Sequence, residues 1–392
     1  MELSSKISSL KPSATGQLSA KANQLAAEGH KIYSFAVGEP DRPTPELVVD
    51  TAIASLKKGR TKYGPSGGGL ELRQAISGKL KRDNHLSYPP EQIVAGMGAK
   101  EILFHSFMAI LNEGDEVLVP APYWVSYQAQ IEACGGRMVV IPMTDDLEGG
   151  MLTPEMIEAY ATPRTKAILL TSPNNPAGYI LGDEELQSLA TYLKNKPWWI
   201  LSDEIYEYMA FDKDHVCLPL VEPALSDRYL HINGLSKGFA MTGWRVGYLA
   251  GPSGIVGVVK TLQSHSSTCL PPFVEDAAVA ALKEGPGLLG DMFKELQKRR
   301  DMATKLLDGV SGINYIPPEG AYYIYLDLRD WLASSPYKEG GTMAFSNMLL
   351  EKHHVAMVPG EAFGTPGFLR MSYALKEEDI AEGIKRLEAA LA

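Results

Sequence analysis

The chain has 392 residues, 45% of them hydrophobic and 21% charged, with a formal net charge of −10. That length holds one large domain plus a smaller one, and the acidic balance excludes the basic stripe of a nucleic-acid binder. No apolar run approaches the roughly 18 residues of a membrane span, the N-terminus MELSSKISSL lacks a signal-peptide core, and three cysteines without CxxC spacing (Cys134, Cys217, Cys269) read as reduced thiols of a cytoplasmic protein.

The first 45 residues contain a helical piece and then SFAVGEPDRPTP, whose prolines at 40, 43 and 45 mark a linker. From about residue 46 to 285, short β-rich runs alternate with helical patterns. Strands are predicted at 92–96, 116–119, 137–141, 167–171, 198–202, 229–232 and 246–250, and helices at 99–111, 124–134, 183–194 and 273–283. Runs such as AILL and WWIL are apolar throughout, as strands buried on both faces are, which favours a mostly parallel sheet covered by helices. A long helical stretch at 288–307 leads into GAYYIYLDL, a helix at 342–353, the runs VAMVPG and FLRMSYA, and a last helix after 377. The expected fold is α/β: a large domain over 46–285, and a smaller α+β domain made of 1–45 and 286–392.

Ligands of open α/β sheets sit beyond the carboxyl ends of the strands, so the residues after each strand matter most. After 92–96, GMGAKE opens a helix whose Ala99 and Lys100 N–H groups form a phosphate site. It is a poor dinucleotide fingerprint, because Glu101 stands where a third Gly or Ala is wanted and the next strand runs into Pro120. SPNNPAG, after 167–171, reads by itself as a turn. DEIYEYM puts Asp203 at a strand tip with Tyr206 three residues on, and a helix N-cap explains Asp203 taken alone. Lys237 and Arg245 fall within NGLSKGFAMTGWRVGYLAGP, where a surface patch explains either one singly.

Taken together they converge. One crevice collects helix-start donors, an Asn, an Asp with a Tyr, a Lys and an Arg. Pyridoxal 5'-phosphate accounts for all of them: its aldehyde suits Lys237, its ring nitrogen Asp203, and its phenolic oxygen Tyr206 and Asn175. Its phosphate suits Arg245, Ser236 and the helix start at Ala99 and Lys100, and Trp124 in PYWVSY offers a face for the ring.

The set GMGAKE, PAPYWVSY, SPNNPAG, SDEIYE and SKGFAMTGWRVGY resembles the class I/II aminotransferases, pyridoxal-phosphate enzymes of fold type I, and the resemblance spans essentially the whole chain. It is nearest to the bacterial and plant-plastid aspartate aminotransferases, some of which also accept prephenate. The resemblance implies that Lys237 carries the cofactor as a Schiff base and moves the substrate's Cα proton. It implies that Asp203 keeps the ring nitrogen protonated while Tyr206 and Asn175 bond the ring oxygen. Arg370 in GFLRMSYA matches the arginine that takes the α-carboxylate, opposite the backbone of Gly38, with Trp124 and Asn175 also bordering the substrate.

Tyr63 in TKYGPSGG matches a tyrosine that reaches the neighbouring subunit's cofactor phosphate, which implies a homodimer. The stretch LQSHSSTCLPP lacks the arginine with which animal-type enzymes read the side-chain carboxylate. Lys100 and Thr15, in KPSATGQ, match positions linked to dicarboxylate and prephenate recognition in the nearer branch; a phosphate-side role for Lys100 stays open. The expected reaction moves the amino group of aspartate or glutamate to oxaloacetate or 2-oxoglutarate, with prephenate as a further acceptor and no metal. Aromatic or neutral amino-acid aminotransferases and a carbon–sulfur β-lyase on the same cofactor are the alternatives. A transcriptional regulator on this fold would need a basic DNA-binding segment, which the acidic composition speaks against.

Overall fold

The structure, a computed structural model, describes residues 5–8, 10, 12–36, 38–143 and 152–392. Its main sheet has seven strands: β1 (Ile93–Met97), β2 (Glu116–Ala121), β3 (Arg137–Pro142), β4 (Thr165–Thr171), β5 (Trp199–Asp203), β6 (Tyr229–Gly234) and β7 (Val246–Ala250). They lie in the order β1-β7-β6-β5-β4-β2-β3. Strands β2 to β6 pair in parallel, while β7 runs antiparallel to both of its neighbours, β6 and β1. The sheet is therefore mostly parallel, with one reversed strand.

Alternate residues of each strand enter different cores, which is why the sequence shows no polar face. Val117 and Val119 of β2 join the cluster under the Ala99–Ile110 helix, and Leu118 between them joins the cluster on the other face. Strand β2 runs on through Pro120, past its predicted end. Its pairing to β4 stops at Leu118, so the missing N–H of Pro120 costs no ladder bond on that side.

Among the described residues up to 285, the unpredicted helices include Glu46–Lys57, Leu70–Asp83 and Ser253–His265, and the shorter Pro154–Tyr160 and Leu218–Val221. The first buries Val48, Ala52 and Ser55, a helical spacing that only two apolar positions announce. The helix expected at 288–307 is in two pieces, a 3₁₀ turn at Pro286–Leu289 and a helix from Met292 to Leu307, separated by Gly290 at φ +47°. The helix expected from residue 124 begins at Ser126.

A second sheet is antiparallel: β8 (Asn314–Ile316), β9 (Tyr323–Asp327), β10 (Val358–Pro359) and β11 (Phe368–Ser372), in the order β10-β11-β9-β8. It is backed by the helices Met292–Leu307 and Glu377–Leu391, whose Leu296, Ile380, Ile384 and Leu387 share a core with Phe35 and Tyr322. The N-terminal segment joins this unit through a short parallel pairing of Tyr33–Ser34 with Val355–Ala356. Among the described residues, no helix is long and apolar enough to cross a membrane.

Candidate active site

The cleft lies where the carboxyl ends of the main sheet meet the second sheet and the N-terminal segment, and encloses about 490 Å³. Strand direction explains its composition. Strands β1, β4, β5 and β6 deliver Ala99, Thr171, Asp203 and Lys237 at or just after their carboxyl ends. Reversed β7 brings its amino end to the same edge, so Arg245, the residue before it, arrives there too. Two glycines permit this crowding. A Cβ on Gly247 would stand 2.1 Å from the Ala99 nitrogen, and one on Gly98, at φ +85°, would stand 2.5 Å from an Arg245 guanidinium nitrogen. The arginine fork is thereby pressed against the start of the Ala99–Ile110 helix, a pairing suited to a phosphate.

Twelve of the thirteen residues singled out in the sequence line this one cleft: Thr15, Gly38, Ala99, Lys100, Trp124, Asn175, Asp203, Tyr206, Ser236, Lys237, Arg245 and Arg370. Tyr63 does not; it is 90% exposed and borders another surface groove with Arg60 and Glu275. Asn175 ties two of the groups together, accepting from Arg370 Nη1 at 3.0 Å and donating to Tyr206 Oη at 3.4 Å. Arg370, 3% exposed, also donates to the Ala36 carbonyl at 2.9 Å, and its Nε has no partner among the described residues. It has no carboxylate among these partners, and its guanidinium lies over the Tyr323 and Phe363 rings. The Gly38 carbonyl accepts from Lys237 Nζ and, at 2.7 Å, from Tyr322 Oη. Thr15 stands in the first turn of the Ala14–Ala27 helix, its hydroxyl 2.7 Å from that of Ser13.

Burial shifts both key groups toward their neutral forms, which favours the free amine of Lys237 and opposes the charge of Asp203. Burial brings the Lys237 ammonium down to about 8; Glu39 opposes the fall, and the charges of Arg370, Arg245 and Lys100 reinforce it. Burial lifts the Asp203 carboxyl to about 6, against hydrogen bonds from Tyr127 and the Ile205 N–H. Burial, with Arg245 nearby, also lowers Lys100, whose Nζ lies 4.8 Å from the centre of the Trp124 ring. Burial holds the Tyr206 phenol well above its usual range, so it remains a donor.

The sequence reading missed two tyrosines. Tyr127 donates to Asp203 Oδ2 at 2.7 Å. Its signal was faint: it follows Trp124 by three residues, one helical turn. Tyr323 places its Oη 3.0 Å from Tyr206 Oη and lays its ring under the Arg370 guanidinium at 4.3 Å. The run GAYYIYLDL identified a strand but not which tyrosine would face a cleft formed with another sheet.

These residues fit pyridoxal phosphate: a half-buried lysine with a depressed ammonium, a carboxylate at the cleft floor, a phenol and an amide donor, and an arginine on a helix start. Fold and site together define a fold-type I pyridoxal-phosphate enzyme. Comparison with known proteins narrows this. The family model described as aminotransferase class I and II matches residues 30–387, and the chain belongs to that family; it is a pyridoxal-phosphate-dependent aminotransferase. It is 43% identical over 392 residues to a protein of Aquifex aeolicus named probable aspartate/prephenate aminotransferase, covering 99% of this chain and 98% of that one. It is 37% identical over 389 residues to the aspartate aminotransferase of Bacillus subtilis, covering 99% and 98%. Among solved structures, the aspartate aminotransferase of Thermus thermophilus with maleate superposes with a TM-score of 0.93 at 36% identity, covering all of both chains.

Proposed function

We propose that this aminotransferase works on dicarboxylic substrates, taking the amino group of aspartate or glutamate and passing it to oxaloacetate or 2-oxoglutarate, with prephenate as a further acceptor. The observation that carries this reading is the set of three cations, Arg245, Arg370 and Lys100, gathered around Lys237. Three anions answer them: the cofactor phosphate at Arg245, the substrate's α-carboxylate at Arg370 and its distal carboxylate at Lys100, with the Thr15 hydroxyl beside it. Maleate, the compound named with the Thermus thermophilus structure, is itself a dicarboxylate, which supports the assignment.

Bound pyridoxal phosphate supplies an electrophilic aldehyde and a ring that accepts an electron pair. The chain's own residues do the rest. The neutral Lys237 Nζ would take the substrate's α-proton and deliver it to the carbon that bore the cofactor's aldehyde, the shift that amino transfer requires. Ionised Asp203 would hold a proton on the ring nitrogen, Tyr206 and Asn175 would donate to the ring oxygen, and Trp124 would cover a ring face. Arg245, Ser236 and the Ala99 and Lys100 N–H groups hold the phosphate. Asn175 steadies Arg370, and the Gly38 segment closes over the amine. The exposed Tyr63 is assigned to the cofactor phosphate of a second copy, so the active unit is a homodimer of a cytoplasmic protein. Within each chain, residues 46–285 form the cofactor-binding domain, and 1–45 with 286–392 the smaller one.

A second reading has one observation in its favour: the Lys100 ammonium already has a place over the Trp124 ring, so it serves the cofactor's side and the substrate is aromatic or neutral. A panel of amino donors separates the two, with cofactor absorbance as the readout. Conversion by aspartate and glutamate at low concentration supports the dicarboxylate reading; preference for phenylalanine or alanine overturns it. Borohydride reduction should fix the cofactor on Lys237, and a label on any other lysine removes the proposed proton carrier.

A further inference from the structure

We propose that Tyr127 is a positioning residue: its phenol fixes the Asp203 carboxylate and supports the Trp124 ring, so that one side chain sets both the floor and the wall of the cofactor site. The proposal deepens the functional reading above and rests on it, since it takes Asp203 as the partner of the ring nitrogen.

The geometry dictates a direction. Tyr127 is 1% exposed, and its Oη stands 2.7 Å from Asp203 Oδ2 and 2.8 Å from Thr171 Oγ1. An ionised carboxylate only accepts, so the phenol proton points to Asp203. The Thr171 hydroxyl must then donate to the phenol oxygen. Thr171 and Asp203 are register partners at the ends of β4 and β5, so the relay Thr171→Tyr127→Asp203 is built across the tips of adjacent strands. The other carboxylate oxygen, Oδ1, has one long contact with the Ile205 N–H, at 3.4 Å. Tyr127 thus pins one oxygen and leaves the other available to a ligand in the cleft. The phenol edge also meets the Trp124 ring, with centroids 5.4 Å apart.

The choice of a phenol has a consequence. The charged and titratable groups bearing on Asp203 are Tyr127, Glu204 and Lys237. Burial and the Asp203 charge keep the Tyr127 phenol protonated. It stabilises the carboxylate without cancelling its charge, as a histidinium in its place would, so the full negative charge faces a ring cation.

The test compares Tyr127→Phe, which removes one oxygen and keeps the ring against Trp124, with wild type. Affinity of the full-length protein is measured by equilibrium dialysis for pyridoxamine 5'-phosphate and for its carbocyclic analogue, in which the ring nitrogen is a CH group. The expected result is a loss of about tenfold for the nitrogen ring and a change of less than about twofold for the carbocyclic ring. The kcat should fall by a similar factor with the KM for the amino donor nearly constant, and Thr171→Val should show a smaller loss of the same kind. Equal losses for both rings would reduce Tyr127 to packing and overturn the proposal. If Asp203→Asn itself binds both rings as wild type does, the assignment of Asp203 to the ring nitrogen fails, and the proposal with it.

Discussion

Asp203 and Glu204 are adjacent in sequence, both buried, and both at the end of β5, yet they point to opposite faces of the sheet and meet opposite fates. Asp203 faces the cleft, with neutral donors on its oxygens, and burial raises it to about 6. Glu204 faces the core behind. Its Oε2 meets His215 Nε2 at 2.7 Å, Cys217 Sγ at 3.0 Å and His231 Nδ1 at 3.2 Å, and its other oxygen accepts from Tyr229 Oη. Burial alone would raise Glu204, but the two histidines outweigh it and hold the carboxyl well below its usual range; burial lowers His215, and Glu204 more than restores it. An acid answered by basic partners within the protein belongs to the scaffold. An acid given only neutral donors, beside a cavity, is held for a charge that arrives from outside.

The comparison is broken most severely by removing the amine of the cleft. Lys237→Ala should lower kcat by at least about 10³-fold, since a general base contributes that much. It should leave urea stability unchanged, because the ammonium it removes is already disfavoured by burial. A single-turnover assay beside an unfolding curve tests both halves.

Exchanging each acid for its amide sharpens the contrast. Glu204→Gln should cost roughly 3 kcal/mol of stability, the scale of an uncompensated buried pair, while turnover per folded molecule stays within about threefold. The sign with pH follows from the two shifts. The lowered Glu204 stabilises above its unfolded value of 4.5 and is lost as pH falls through its folded value. The raised His215 stabilises below its unfolded 6.5 and is lost as pH rises through its folded value. The gap between wild type and variant in urea unfolding should therefore be widest between the two unfolded values, 4.5 and 6.5, and narrow on both sides. Asp203→Asn should do the reverse: stability held, because a carboxyl raised by burial is a cost above its unfolded value of 3.8, and kcat lowered by about 10²-fold. If the two variants behave alike, the division between scaffold acid and ligand acid is wrong.

A smaller effect is expected at the distal end of the cleft. Lys100→Ala should lower kcat/KM for aspartate by about ten- to a hundredfold, the worth of a charged hydrogen bond of roughly 1.5–3 kcal/mol, with less loss for alanine. Equal losses would put Lys100 with the cofactor. The mildest test needs no substitution. Because the free amine is the reactive form and Lys237 is depressed to about 8, cofactor uptake by depleted protein should quicken roughly tenfold from pH 7 to 9 and then level off. A rate still climbing tenfold per pH unit beyond 9 would indicate an ordinary lysine.

Legibility in the sequence followed the range of the interactions. All seven main-sheet strands were visible, as were the helices Ala99–Ile110, Asp183–Leu193 and Pro272–Glu284 to within a few residues, because burial on two faces imposes unbroken apolar runs and helical spacing. So were twelve residues of one cleft, since open parallel sheets bind ligands at their carboxyl ends and each strand marks its own end. The helix Glu46–Lys57 was not legible, because its apolar residues fall on both sides, Val48 and Ala52 buried and Leu47, Ile53 and Leu56 exposed. Nor was the break at Gly290, where one glycine in the left-handed region ends what the pattern would continue.

The sequence by itself thus determined the strand run, the cofactor class and the residues at the strand ends, because each depends on neighbours within a few positions. Only the tertiary structure decided which groups meet. The reversal of β7 carries Arg245 to the cleft, and the packing of the Ser126–Ala133 helix sets the Tyr127 phenol on Asp203. The twofold alternation at the tip of β5 sends one acid to the cleft and its neighbour to the core. These pairings join residues 44 to 76 positions apart or more. No local pattern records them, because the energy that selects them comes from burial against elements elsewhere in the chain.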